Sequence, residues 1–302
     1  MVVTRRKKRV VGSKNKTKTE PKPEFVLPDE PSEPAEDLKD YSILLYGEKK
    51  IGKTTLTSQF ENAFHIMTEP GGRALRIYQK PATTWPEFKG WVSAIVKESK
   101  KAKPRFGTVI VDTIDNAYKF CFEWVCKVKL GVEHPSDEEW GKGWQAIADE
   151  FNAVMNRLLS VPNMGKIFIS HSKEIEMKTR LGKKYDKIMP TMKSQASQII
   201  EAVVDIWAYY AYDGERRVLL IEGDDHVAAG HRLENHFRFP NGDPVREIPM
   251  GRSPKEAHRN FVAAFNNELS NMTKVGNLTK KGGTAKTGTK KKTTKKVVRK
   301  RA

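Results

Sequence analysis

Cysteine is nearly missing from this chain: two residues in 302, Cys121 and Cys126. Five positions apart on a helix, they would lie about 140° apart in azimuth at 3.6 residues per turn. That disfavours a mutual disulfide, and so small a number excludes a cysteine-based metal site. A reducing compartment, the cytoplasm, is the expectation. Long apolar runs are missing as well. No stretch approaches ~18 consecutive apolar residues, so no membrane-spanning helix and no membrane partner are expected. The basic segment Met1 to Val11 is not followed by the apolar region of a secretory signal.

Acidic residues are absent from one end and crowded near the other. The net charge is +18, yet residues 271–302 alone carry +12 with no acid, and residues 1–20 carry +7. Residues 21–40 carry −5, and the long middle, 41–270, carries only +4. The basicity therefore belongs to the ends. Residues 1–39 read as a disordered arm, basic and then acidic, with Pro21, Pro23, Pro28, Pro31 and Pro34 keeping it extended. Residues 271–302 are a Lys/Thr/Gly segment of low complexity, also expected to be disordered. Residues 40–270 are left as one globular domain.

Within that domain, apolar runs alternate with helical patterns. Strands are expected at Tyr41–Tyr46, Ala63–Thr68, Thr108–Asp112 and Gly165–Ser170. A later pair, Val203–Tyr212 and Arg217–Glu222, flanks Asp213-Gly214-Glu215 as a hairpin. Helices are expected at Lys53–Glu61, Trp85–Glu98, Asp115–Lys129, Trp144–Leu159 and Pro254–Leu269, the last with Ser253 as N-cap and Glu256 completing a capping box. Trp140, Trp144, Phe120, Phe122 and Trp124 read as core packing. Strand–helix alternation of this kind implies an α/β domain on a mainly parallel sheet.

Gly47-Glu48-Lys49-Lys50-Ile51-Gly52-Lys53-Thr54 fits G-x-x-x-x-G-K-[ST] without a mismatch, between a buried strand and a helix, as a phosphate-binding loop requires. Glycine permits the torsions that turn successive N–H groups toward phosphates. Lys53 supplies a cation at the β/γ-phosphates, the Thr54 hydroxyl is a ligand for Mg²⁺, and the helix that follows, with Thr55 in its first turn, points its N-terminus at the anion. Nucleotide-binding residues are therefore Gly47 through Thr55, and ATP with Mg²⁺ the expected ligands. Asp112, ending an apolar strand, faces the crevice of an open α/β sheet and is the expected metal-side carboxylate. Asp115 reads as the cap of the next helix. Glu69 closes the strand after the phosphate-loop helix, where a carboxylate can orient and deprotonate a water; the other reading is a turn residue before Pro70-Gly71-Gly72.

The succession phosphate loop, strand-Thr68-Glu69-Pro70-Gly71-Gly72, Val109-Ile110-Val111-Asp112-Thr113-Ile114-Asp115-Asn116 and Ile167-Phe168-Ile169-Ser170-His171-Ser172-Lys173 resembles the RecA-like P-loop ATPases encoded by phages, AAA-family proteins of single-strand annealing and recombination. The resemblance covers roughly 40–270. It implies a RecA-like core that binds ATP between subunits of a ring or filament, and a site in host cytoplasm. Glu69 is then the hydrolytic carboxylate, and Ser170-His171-Ser172 senses the γ-phosphate. It also implies single-stranded DNA as a partner, with a phage single-strand-binding protein as a further candidate. A Phe-x-x-Ala tether is absent from 21–40; Phe60-x-x-Ala63 has the spacing but reads as core. Arg216, Arg217, Arg232 and Arg238 are all candidates for a cation acting in trans.

After the fourth strand, Lys173 to Lys193 holds seven cations against three acids. Lys178, Arg180, Lys183, Lys184 and Lys187 are candidates for backbone phosphates, and Tyr185 for stacking on a base. A solvated hairpin is the other reading. Three rivals share the nucleotide site: a helicase-loader ATPase with a protein target, a small-molecule kinase, and a nucleotide-binding scaffold that hydrolyses slowly. For a kinase lid, Lys173–Lys193 is long and rich in lysine rather than arginine.

Overall fold

In the computed structural model the chain is described from residue 27 to residue 269; the basic arm and the Lys-rich segment lie outside the described residues. One unit ends at Glu36 and a second begins at Asp37. Residues 27–36 carry no helix or strand, so every helix and strand among the described residues belongs to the second unit.

Its strands are β1 (Ser42–Gly47), β2 (Ala63–Met67), β3 (Tyr78–Pro81), β4 (Thr108–Asp112), β5 (Gly165–Lys178), β6 (Lys184–Pro190), β7 (Ile206–Asp213), β8 (Arg216–Leu220), β9 (Gly230–His231) and β10 (Glu247–Pro249). Across the sheet the order is β10-β8-β7-β1-β5-β4-β2-β3, with β6 paired to β5 and β9 to β7. From β7 to β3 every pairing is parallel. The helices are α1 (Lys53–Thr57), α2 (Trp85–Ser99), α3 (Ile114–Trp124), α4 (Lys142–Leu159), α5 (Ser194–Val203) and α6 (Pro254–Phe265).

The strands read as unbroken apolar runs because both faces are covered. Successive residues point to opposite faces. Leu44, Phe64, Val109, Val111 and Phe168 pack with α2, α3, α4 and α5, around Trp85, Phe88, Tyr118 and Phe151. Ile43, Leu45, Ile110, Ile167 and Ile169 pack with α1 and α6, around Leu56, Phe261 and Phe265. This is the mainly parallel α/β architecture expected from the sequence.

Local departures have local causes. α1 stops at Thr57 rather than Glu61, because the Thr57 and Ser58 hydroxyls donate back to the carbonyls of Thr54 and Thr55. Such bonds compete with the helical ladder. α3 gives way after Trp124 to a π-helical turn, Val125–Leu130, and both cysteines are free and buried. α6 begins as expected, with the Ser253 hydroxyl accepting from Glu256 N, but Glu256 Oε2 takes the N–H of Arg252 rather than that of Ser253. Trp140 is not in the core. It sits at φ +57° in the middle of the short 3-10 turn Glu139–Gly141, where no helix face carries it inward, and it is 91% exposed. Trp144, Phe120, Phe122 and Trp124 do pack against the core. Residues 173–193 form the hairpin that is one of the two readings of the sequence, β5 continuing to Lys178 and returning as β6, and α5, β3, β9 and β10 are additions to the expected elements.

Candidate active site

Parallel strands in register bring the end of one beside fixed residues of its neighbours. Register pairs Gly47 of β1 with His171 of β5 on one side and Tyr210 of β7 on the other. Because β5 lies between β1 and β4, His171 stands between the phosphate loop and Asp112. Thr68 and Glu69 follow β2 directly, beside β4.

The loop is shaped by its glycines. A Cβ on Gly47 would meet Tyr210 O at 2.2 Å, so only glycine lets β1 end against β7. Lys50 and Gly52 take positive φ, +67° and +109°. Ile51 is buried and anchors the loop, while Glu48 and Lys49 lie exposed on its outer side. Lys53 is buried, and its ammonium donates to Gly47 O (2.8 Å) and Glu48 O (2.7 Å). Burial pushes its pKa down to about 8, against the pull of Asp112 and Glu69.

Lys53 Nζ lies 3.4 Å from His171 Nδ1, and His171 Nε2 lies 3.3 Å from Glu69 Oε2. A lysine ammonium only donates, so Nδ1 accepts and the ring proton sits on Nε2, directed at Glu69. That hydrogen bond holds the Glu69 carboxyl below its ordinary range, with Lys53 and Lys49 adding to the effect. On the other side, Thr54 Oγ1 donates to Asp112 Oδ2 at 2.6 Å. Asp112 is buried, and burial raises its pKa.

Behind these groups is a layer the sequence did not disclose. Thr113, not Asp115, is the N-cap of α3. Asp115 instead accepts from Ser170 Oγ (3.1 Å) and Thr191 Oγ1 (2.6 Å), and Thr191 N donates to His171 O. Thr68 Oγ1 accepts from Thr113 N and donates to Thr113 O, both at 2.7 Å, which ties β2 to the end of β4. The partners are far apart in the chain, so spacing gave no signal for them.

Lys50, Gly52, Lys53, Thr54, Thr55, Glu69, Asp112 and His171 line one cleft of about 300 Å³, closed on one side by Gly72, Ala74 and Leu75. A cation beneath a glycine-bearing loop suits a polyphosphate. The Thr54 hydroxyl and the Asp112 carboxylate offer oxygen donors in the pattern a hard divalent cation takes beside phosphates. Among the described residues no group of three or more His, Cys, Asp or Glu is placed to hold a metal by itself. The residues thus fit a magnesium nucleotide, with the remaining ligands coming from phosphate and water.

The DNA candidates lie elsewhere, on the β5–β6 hairpin. Lys178 pairs with Lys184 across the ladder, and Arg180 and Lys183 sit in the exposed turn. Lower down, Glu176 faces Asp186, and Glu176 also pairs with Lys184 at 2.9 Å. Tyr185 packs edge-on against His226, and Lys187 is half-buried near the base. Of the four arginines considered for action in trans, Arg216 is paired with Asp213, and Arg232 and Arg238 with backbone carbonyls. Arg217 lines a neighbouring cavity.

A phosphate loop, a strand-end aspartate and a parallel sheet sandwiched by helices define a P-loop nucleoside-triphosphate-binding domain. Residues 39–233 match the family model of an AAA domain, and the chain belongs to that family of nucleotide-binding ATPases. Among curated proteins it is 30% identical over 155 residues to the SPbeta prophage-derived uncharacterized protein YorG of Bacillus subtilis (strain 168). That match covers 51% of this chain and 46% of the relative, so the chain spans about half the relative's length. Among solved structures it is similar to the RadB recombinase, with a TM-score of 0.39 and 13% identity over 72% of this chain and 90% of that one. The KaiC-like protein PH0186 from Pyrococcus horikoshii OT3 gives a TM-score of 0.39 and 14% identity, over 72% and 88%. Likenesses of that strength carry no functional weight. No helix among the described residues is long and apolar enough to cross a membrane.

Proposed function

We propose that this chain is a DNA-coupled ATPase of a phage recombination, annealing or replication system, acting on single-stranded DNA within an oligomer. The observation that carries the nucleotide half is the meeting of Lys53, Thr54, Glu69, Asp112 and His171 in one cleft. Lys53 and the loop amides hold the phosphates, while Thr54 and Asp112 hold Mg²⁺. When bound, that ion neutralises charge developing on the phosphate oxygens. Glu69 orients the attacking water and takes its proton as oxygen bonds to the γ-phosphorus and the bond to the leaving diphosphate oxygen breaks. Glu69 is the stronger base once His171 no longer donates to it, so His171 reports whether the cleft is filled.

The DNA half is supported by the hairpin. Lys178, Arg180, Lys183 and Lys184 gather four exposed cations at the tip, and Glu176 compensates Lys184 alone among them by an ion pair. The surplus of positive charge favours a polyanion there. Arg180, Lys178, Lys183 and Lys184 are therefore the DNA contacts, with Lys187 and Tyr185 secondary. The prophage-derived relative supports the phage setting. A loader-type ATPase with a protein target is the second reading, favoured by Leu181, 96% exposed at the same tip.

The test is ATP hydrolysis with and without single-stranded DNA, in wild type and Lys53→Ala. Turnover that DNA stimulates and Lys53→Ala abolishes is the expected result. Turnover indifferent to DNA overturns the DNA half and leaves the loader reading. Turnover unaffected by Lys53→Ala overturns the assignment of the cleft.

A further inference from the structure

A second, smaller cavity opens on the far side of the phosphate loop. Its volume is about 60 Å³, and it shares Gly52 and Thr55 with the main cleft. That volume is several times the ~10–15 Å³ needed for one water. Its other walls include Tyr210 of β7, Arg217 of β8, and Met250 and Pro254 at the entry to α6. Met250 N donates to Arg217 O at 2.9 Å, which fixes the spacing of these walls. Arg217 is half-buried, and its Nε is buried without a hydrogen-bond partner.

The direction of a bound nucleotide follows from the first cleft. The groups suited to the metal and to the attacking water, Asp112, Glu69 and His171, all lie on one side of the loop. A phosphate chain with its γ end there leaves the loop at its α end over Gly52 and Thr55, toward the second cavity. The walls there suit a flat ring: an aromatic, a thioether and a proline for its faces, and a guanidinium able to donate to its edge. A buried donor without a partner is unfavourable, and an acceptor on a ring edge satisfies it.

We propose that this cavity seats the edge of the nucleobase, with Arg217 Nε donating to a ring acceptor and Met250 and Pro254 against the ring. The proposal rests on the cleft being the phosphate site, and the experiment separates the two. Full-length wild type, Arg217→Met, Met250→Ala and Lys53→Ala are compared for binding of ATP and of inorganic tripolyphosphate. Magnesium is present throughout, and the Lys53→Ala signal is subtracted as binding outside the loop. Arg217→Met is expected to weaken ATP about tenfold, ~1.4 kcal/mol, and leave tripolyphosphate within twofold. Met250→Ala should show the same selectivity more weakly. It also guards against a folding defect, as do unchanged unfolding midpoints without ligand. Equal loss for both ligands, or no loss for ATP, overturns the base site. Tripolyphosphate binding that Lys53→Ala leaves intact overturns the phosphate site instead, and the base site falls with it.

Discussion

His65 should make this protein sensitive to mild acid, in a way that one substitution removes. It lies in β2 under the phosphate-loop helix, fully buried, with Nε2 3.2 Å from Thr57 Oγ1. The Thr57 hydroxyl has a single proton and gives it to Thr54 O, so His65 Nε2 donates to Thr57. Burial lowers the His65 pKa from 6.5 to about 4. The folded state therefore resists a proton that the unfolded chain accepts, and where the unfolded state binds more protons stability falls as pH falls. The His65 contribution is complete above pH 6.5 and is lost as pH falls toward 4. Integrated between pH 7 and pH 5, the loss is about 2 kcal/mol. For a domain of this size that lowers the melting midpoint by about 4–8 °C. Other groups titrate in the same window, so the quantity to measure is a difference. Thermal unfolding of wild type and His65→Gln is followed from pH 7 to pH 5 without nucleotide. Glutamine can still donate to Thr57 but does not titrate, so the wild type should lose about 2 kcal/mol more than the variant. Parallel curves would refute the assignment of a neutral, buried imidazole beneath the loop.

Asp112→Asn should give a protein at least as stable as wild type without nucleotide but with no magnesium-dependent turnover. Asparagine still accepts from Thr54, and removing a buried carboxylate relieves a desolvation penalty of several kcal/mol; calorimetry with and without Mg-ATP shows both effects. Glu69→Gln should keep ATP binding and lose about 10²–10⁴-fold in turnover, the usual contribution of a general base. Hydrolysis already negligible in wild type and unchanged in the variant would favour the slow scaffold. Lys178→Ala with Lys184→Ala should weaken single-stranded DNA binding and reduce the log–log salt slope by about 1.4, at ~0.7 per phosphate contact on a single strand. ATP turnover without DNA should not change, and an unaltered slope would move the contact off the hairpin tip.

How much could be read from the residues depends on the range over which each constraint acts. The phosphate loop is legible because its demands are local: Gly47 must clear Tyr210 O, Gly52 must take a positive φ, and the lysine and threonine must follow at once. Asp112 is legible because four buried residues lead to it and the strand stops there. Glu69 and His171 are half legible. The pattern puts each at a strand end, but only the placement of β5 between β1 and β4 makes them neighbours of Lys53 and of each other. Asp115 is where local reading misleads. An aspartate near a helix start is a good cap by propensity, and that prior hid its bonds to Ser170 and Thr191, 55 and 76 positions away. The same holds for Arg217, one cation among many in the sequence, whose position beside the loop depends on β7, β8 and the entry to α6 closing together. Residues that touch phosphate are announced by the backbone geometry they need. Those that connect the site to the hairpin, or complete it around a base, have no local geometry to announce them, and the fold alone brings them to the cleft.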